Sequence, residues 1–192
     1  MKTLGEIARL RSGQVFSSGL IDDPEGTYFV ANSKAIENYS LEKSKLVRQP
    51  WNKVQESKLV HPNDILFCAK STQNRALVFD LVDENVVASS FFHILTVKRE
   101  YVLPRYLAWF INHPDTQKRL SDFARGATVK FISLTSLKDF SIAVPSLDIQ
   151  EKIIVAADLA EKEQKILNNI LIKKRSYIDA KLLSAALNGV IS

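Results

Sequence analysis

The sequence predicts an α+β chain: a β-rich body with short helices, then one long C-terminal α-helix used as a coiled-coil-like arm. Two patterns carry this expectation. From Leu147 to Leu187 there is neither proline nor glycine, and the residues are compatible with helix or favour it. Before that, short apolar runs recur between turn-forming residues, which is the spacing of strands.

Leu4, Ile7, Ala8 and Leu10 form a short helix or strand that breaks at Ser12-Gly13. Residues 19–63 read as irregular, with a turn at Asp22-Asp23-Pro24-Glu25-Gly26 and a strand at 28–30. His61-Pro62-Asn63-Asp64 turns into a strand at 65–69, and the polar tract 70–75 leads to another at 76–81. A further strand pair is expected at 86–88 and 91–97. From Pro104 the period changes. Tyr106, Leu107, Phe110 and Ile111 recur at helical spacing, and Pro114 opens a second helix with Gly126 as its stop. A helical turn at 134–139 and a strand at 140–144 complete the body.

The boundary is expected at Pro145-Ser146, giving a body over residues 1–145 and an arm over 146–192. Roughly forty helical residues make a rod of about 60 Å, too long to pack along a body of this size. One apolar stripe contains Ile153, Leu167 and Ile170, and its neighbour contains Leu171, Ile178 and Leu182. Two stripes suit a helix packed against more than one neighbour. The competing reading is a long helix folded back on its own body.

Lys and Arg outnumber Asp and Glu by 26 to 21, a net charge of +5 that leans weakly toward a polyanion. The single cysteine, Cys68, cannot form an internal disulfide, which suits a reducing cytoplasm. No apolar run is long enough to span a membrane, and the N-terminus lacks the apolar core of a secretion signal.

Enzyme readings find little support. No glycine-rich turn follows a strand as a nucleotide pocket requires, and no cofactor is expected. Neither Asn-Pro-Pro-Tyr nor Asp-Pro-Pro-Tyr occurs, so adenine methylation by this chain is not expected. Asp115 with Glu163 and Lys165 imitates a nuclease signature, but these fall on two helices rather than on converging strands. His61, His93 and His113 lie far apart with no ligand-like spacing around Cys68, and His93 reads as structural.

Four segments resemble the specificity subunit of type I restriction-modification systems. They are Leu4-Gly5-Glu6-Ile7-Ala8; His61 to Phe67; Pro104-Arg105-Tyr106-Leu107 with the loop Gly126-Ala127-Thr128; and Leu137 to Pro145 followed by Gln150. The resemblance covers Leu4 to about Leu187. It implies a target recognition domain reading half of a split double-stranded DNA site. It also implies a helix that spaces two such domains and docks methyltransferase (modification) subunits, with the restriction subunit a further partner. Asn63 stands where the family often has glycine, but asparagine also tolerates a left-handed turn. Family members commonly carry two recognition domains, so this chain resembles a half-length subunit acting as a homodimer with antiparallel arms. Its start at Met1 and end near Ser192 weigh against a domain cut from a longer chain. The alternative function is an antirestriction-like module that competes for the modification subunit without reading DNA.

Base reading needs directional donors and acceptors, with cations nearby for phosphates. Lys70, Ser71, Thr72, Gln73, Asn74 and Arg75 offer both: Gln73 and Asn74 suit adenine, Arg75 suits guanine and Lys70 a phosphate. Arg125, Thr128 and Lys130 form a second candidate around Gly126, and Asn32, Ser33 and Lys34 a third. Ser89 and Ser90 could line the same surface. For each loop, an ordinary solvated turn is the competing reading.

Overall fold

The computed structural model describes residues 1–16, 19–37, 40–51, 54–71, 73–81, 84–123 and 131–189. The chain opens with β1 (Lys2–Thr3), the one-turn helix α1 (Leu4–Ile7) and β2 (Ala8–Ser12), so helix and strand occur in succession. β3 (Tyr28–Ala31) precedes β4 (Ile36–Glu37), β5 (Ser40–Leu41) and β6 (Val47–Gln49). Strands of two or three residues are too short for period-two alternation to register, which is why this stretch reads as irregular in sequence.

β7 (Ile65–Cys68) and β8 (Ala76–Val78) form a hairpin across the tract 70–75. β9 (Asn85–Ala88) and β10 (Phe92–Val97) follow. Helices α2 (Pro104–Asn112) and α3 (Pro114–Phe123) each start on a proline, whose missing N–H costs nothing in a first turn. α4 (Leu134–Asp139) is capped by Ser133, whose hydroxyl accepts from the Ser136 amide at 3.0 Å. The short β11 (Ser141–Ile142) pairs with β1, and α5 (Leu147–Asn188) runs for 42 residues to Gly189, which takes φ +67°.

Two sheets organise the body: antiparallel β2-β10-β7-β8, and β6-β3-β9 with β3 and β9 parallel. β9 and β10 are therefore not the expected pair. The chain leaves one sheet at Ala88, turns through Ser89-Ser90, with the Phe92 amide donating to Ser89 at 2.9 Å, and enters the other sheet. Residues of both sheets share one core, with Phe29, Ala31, Val86 and Ala88 meeting Leu66, Leu77, Phe92 and Ile94. β7 is buried on both faces, at 0–1% exposure from Ile65 to Cys68, so it reads as a continuous apolar run. Burial pushes the Cys68 thiol up to about 12, leaving it protonated and inert.

The turn before β7 is pinned by Asp64. Its carboxylate accepts from the Thr96 hydroxyl at 2.6 Å, the His61 amide at 3.1 Å and the Arg11 guanidinium at 3.3 Å. Asn63 sits at φ 72°, the left-handed conformation that asparagine tolerates. At the far edge, the Asn112 amide closes β8 by accepting from the Ala76 N–H at 2.9 Å and donating to its carbonyl at 2.8 Å.

The chain divides into two compact units, Met1–Glu151 and Lys152–Ser192. The first turn of α5 belongs to the first unit, where Gln150 is fully buried. In the second unit, Leu167, Ile170, Leu171, Ile178 and Leu182 are 44–62% exposed and Ile153 is half-buried. Among the described residues no helix is long and apolar enough to cross a membrane.

Candidate nucleic-acid interface

The ends of β3, β7 and β9 and the segment after β2 meet at one edge of the body. The Ser89 amide donates to the Ala31 carbonyl at 2.8 Å, so the segment after β9 abuts the segment after β3. Gln14, two residues beyond β2, donates its amide to Ala88 at 2.8 Å and accepts from the Ser90 amide at 2.7 Å. The exposed Lys70, next but one after β7, donates through Nζ to the Ser90 hydroxyl at 3.2 Å. This crossing depends on Gly13: a Cβ there would lie 2.1 Å from the Ser89 carbonyl oxygen, an impossible approach.

The sequence candidates thus separate into groups. Lys70 shares this edge with Asn32, Ser33 and Lys34 through Ser89 and Ser90. The Asn32 carboxamide oxygen accepts from the Lys34 amide at 2.9 Å, capping a 3-10 turn at Ser33–Ala35 and leaving Ser33 and Lys34 exposed. Ser71 accepts from the Gln73 amide at 3.3 Å, and Gln73 accepts from the Arg75 guanidinium, so these residues form a braced turn.

Asn74 needs correction as a base reader. It is 4% exposed, and its amide donates to the Cys68 carbonyl at 2.8 Å, tying the turn to the end of β7. Its own carbonyl accepts from Gln117 of α3 at 3.0 Å. Burial and these bonds commit Asn74 to holding the turn. Thr72, Arg125, Thr128 and Lys130, together with the helix stop expected at Gly126, lie outside the described residues.

Phe131 pairs with Lys70 in an isolated antiparallel bridge and is 42% exposed. The next residue is held on both sides: the Ile132 amide donates to Ala69 at 3.1 Å, and its carbonyl accepts from His93 Nε2 at 2.9 Å. His93 is 3% exposed and stacks on Phe67, with ring centroids 6.4 Å apart. Burial, and less strongly the charge of Lys70, hold its pKa below the ordinary histidine value, so the ring is neutral with the proton on Nε2.

Segments 13–16, 32–35, 70–75 and 88–91 contain no Asp or Glu, although the chain has 21. They supply Lys34, Lys70 and Arg75, with amides and hydroxyls from Gln14, Ser33, Gln73 and Ser90. Such a set can hold phosphates and address base edges. Gln14 and Phe131 escape a reading of the sequence because each acts through a crossing between distant strands, and no local motif marks that crossing.

Comparison with known proteins places this geometry in a family. The model for the type I restriction modification DNA specificity domain matches residues 1–173. Among solved structures, the HsdS subunit from Thermoanaerobacter tengcongensis is 16% identical with a TM-score of 0.62, over 88% of this chain and 38% of that one. A chain from a structural study of complex assembly in the type I R-M system is 14% identical with a TM-score of 0.72, over 93% and 42%. The type I S subunit from M. genitalium is 18% identical with a TM-score of 0.58, over 94% and 43%. This chain therefore spans about two-fifths of the length of each structure. No curated protein matches it.

Proposed function

The chain belongs to the type I restriction modification DNA specificity family, and from that premise we propose that it is a non-catalytic subunit reading one half of a bipartite duplex-DNA site. The observation that carries this reading is the convergence of Lys70, Ser90, Asn32 and Gln14 from segments that themselves contain no Asp or Glu. In this reading Lys70 and Lys34 hold phosphates, while Gln73, Arg75 and Ser33 address bases. Arg125, Thr128 and Lys130 belong to the same DNA-reading set.

Residues 1–145 read DNA, and residues 146–192 space and assemble. The apolar side chains that α5 leaves exposed support this, because contiguous apolar surface of that kind marks an interaction face. Two copies pair their helices antiparallel and dock modification subunits and the restriction subunit, in the cytoplasm. One copy per half-site gives a palindromic split target.

The test is selection of a bound sequence from a randomised duplex library by the chain in complex with its modification subunits. A palindromic split sequence is the expected result, with affinity falling steeply with salt as counterions are released. Gln73→Ala with Arg75→Ala should relax the preference while the complex still assembles. Absence of affinity for every duplex in the assembled complex would sink the proposal. An intact complex whose DNA readout ignores both substitutions would favour a module that only competes for the modification subunit.

A further inference from the structure

An open cleft of about 710 Å³ lies beside the reading edge, with Phe16, Trp51, Val54 and Val87 as apolar walls and Gln14 and Lys58 among its polar ones. The Phe16 and Trp51 rings are stacked, with centroids 5.7 Å apart and planes 13° from parallel, and Tyr28 tilts onto Trp51 at 6.3 Å. Trp51 is half-buried, and Lys58 is exposed. Gln14 belongs to both places: its backbone bonds Ala88 and Ser90, its residue lines the cleft, and Ser90 in turn holds Lys70.

These walls have a definite complement. A stacked aromatic pair favours a flat π-system added to the stack, an amide can pair with ring nitrogens or exocyclic groups, and a nearby ammonium suits a phosphate. A nucleobase on its backbone combines all three. Continuity with segments that carry Lys34, Lys70 and Arg75 and no Asp or Glu favours a polyanion over a peptide. We propose that this cleft accepts one unpaired nucleobase adjoining the half-site, stacked against Trp51 with its phosphate toward Lys58. The proposal rests on the DNA-reading function above. A base in a duplex must be extruded first, and extrusion costs least where the base is already unpaired, so single strands are the direct probe.

The chain has two tryptophans, so Trp109→Phe leaves Trp51 as the only indole, whose emission is read with excitation beyond the tyrosine absorption band. Full-length protein in that background is titrated with single-stranded oligothymidylate and oligoadenylate of about ten nucleotides, a length that fills a typical single-strand site. Trp51 emission should be quenched saturably. Trp51→Ala, measured by anisotropy of labelled strands, should weaken binding about five- to a hundredfold, and Trp51→Phe should restore most of it. Gln14→Ala and Lys58→Ala, on the rim, should each weaken binding, the second with a shallower salt slope, and they decide the matter if Trp51→Ala does not fold.

Thymidine 5′-monophosphate should bind at least tenfold more weakly. If it matched the polymer, the occupant would be a free nucleotide and the proposal would fall. Strand binding that leaves Trp51 emission and all four variants within twofold of their parent would also overturn it. Duplex binding without a Trp51 response removes the cleft but keeps the reading function. A Trp51 response without sequence-selective duplex binding does the reverse.

Discussion

Gln150→Ala tests how the start of α5 is fastened to the body. The Gln150 side chain is fully buried and makes three hydrogen bonds: Nε2 donates to the Tyr101 carbonyl at 2.9 Å and the Pro145 carbonyl at 2.8 Å, and Oε1 accepts from the Leu103 amide at 2.9 Å. Truncation strands two acceptors and one donor. A stranded buried group costs about 1–3 kcal/mol, but Tyr101 is exposed and Leu103 and Pro145 are only half-buried, so water recovers part of the loss. The low end applies, at about 1 kcal/mol per bond or about 3 kcal/mol in all. In a unit of this size that corresponds to a fall in Tm of roughly 6–12 °C. Gln150→Glu keeps the acceptor for Leu103 but presents oxygens to two carbonyls, so it should be at least as damaging. Gln164→Ala, whose amide donates to the exposed Asn168, is the control and should stay within about 0.5 kcal/mol. Urea unfolding followed by far-ultraviolet circular dichroism measures all three. A loss below about 1 kcal/mol for Gln150→Ala would refute the reasoning, because the buried amide would then be replaceable by water.

Ile170→Asp with Leu171→Asp places charges where two side chains 55% and 62% exposed offer apolar surface; sedimentation of the chain alone and with modification subunits should show dissociation at unchanged helicity. Lys70→Ala should weaken all duplexes about equally and lower the slope of log affinity against log salt by about one, whereas a change in preferred sequence would show that Lys70 reads bases. Asn74→Ala should cost about 1–3 kcal/mol of stability by stranding the Cys68 carbonyl, and intact stability with altered preference would return it to the readers. Because burial lowers the His93 pKa in the folded state, its contribution is fully present above the unfolded value near 6.5. That contribution is lost as pH falls below 6.5 toward the folded value, since the unfolded chain binds the proton first. Urea midpoints between about pH 7.5 and 5.5 should fall for the parent and less for His93→Phe.

Much of the scaffold is legible because its signals are local. Prolines at 104 and 114 mark helix starts, a long stretch free of proline and glycine marks α5, and a continuous apolar run marks the doubly buried β7. Partnership between strands is not local. β9 and β10 are adjacent in sequence and look like a hairpin, yet Ser89-Ser90 carries the chain between sheets, and that crossing needs Gly13 some seventy-five residues earlier. The site shows the same split. Lys70, Ser33 and Lys34 are exposed, as polar residues between strands are expected to be, and their contact with DNA belongs to the proposal. Asn74 has the same side-chain chemistry as a base reader, and only its burial against Cys68 and Gln117 reveals the other role.

Under the proposed function, this division between proposed readers and braces bears on how such a body can change its target. Ser33, Lys34, Lys70 and Gln73 are exposed, and substitution at exposed positions away from caps and networks moves stability by about 0.5 kcal/mol or less. Their loops are held by buried groups and a close backbone crossing: Asn74 on the Cys68 carbonyl, His93 on Ile132 beside Ala69, and Gly13 under Ser89. Losing one of these costs several times more, because each leaves a buried polar group unpaired or forces two backbones apart. Sequence preference can therefore drift through the readers while the edge keeps its shape. A substitution among the braces should instead lower stability and blur every preference together.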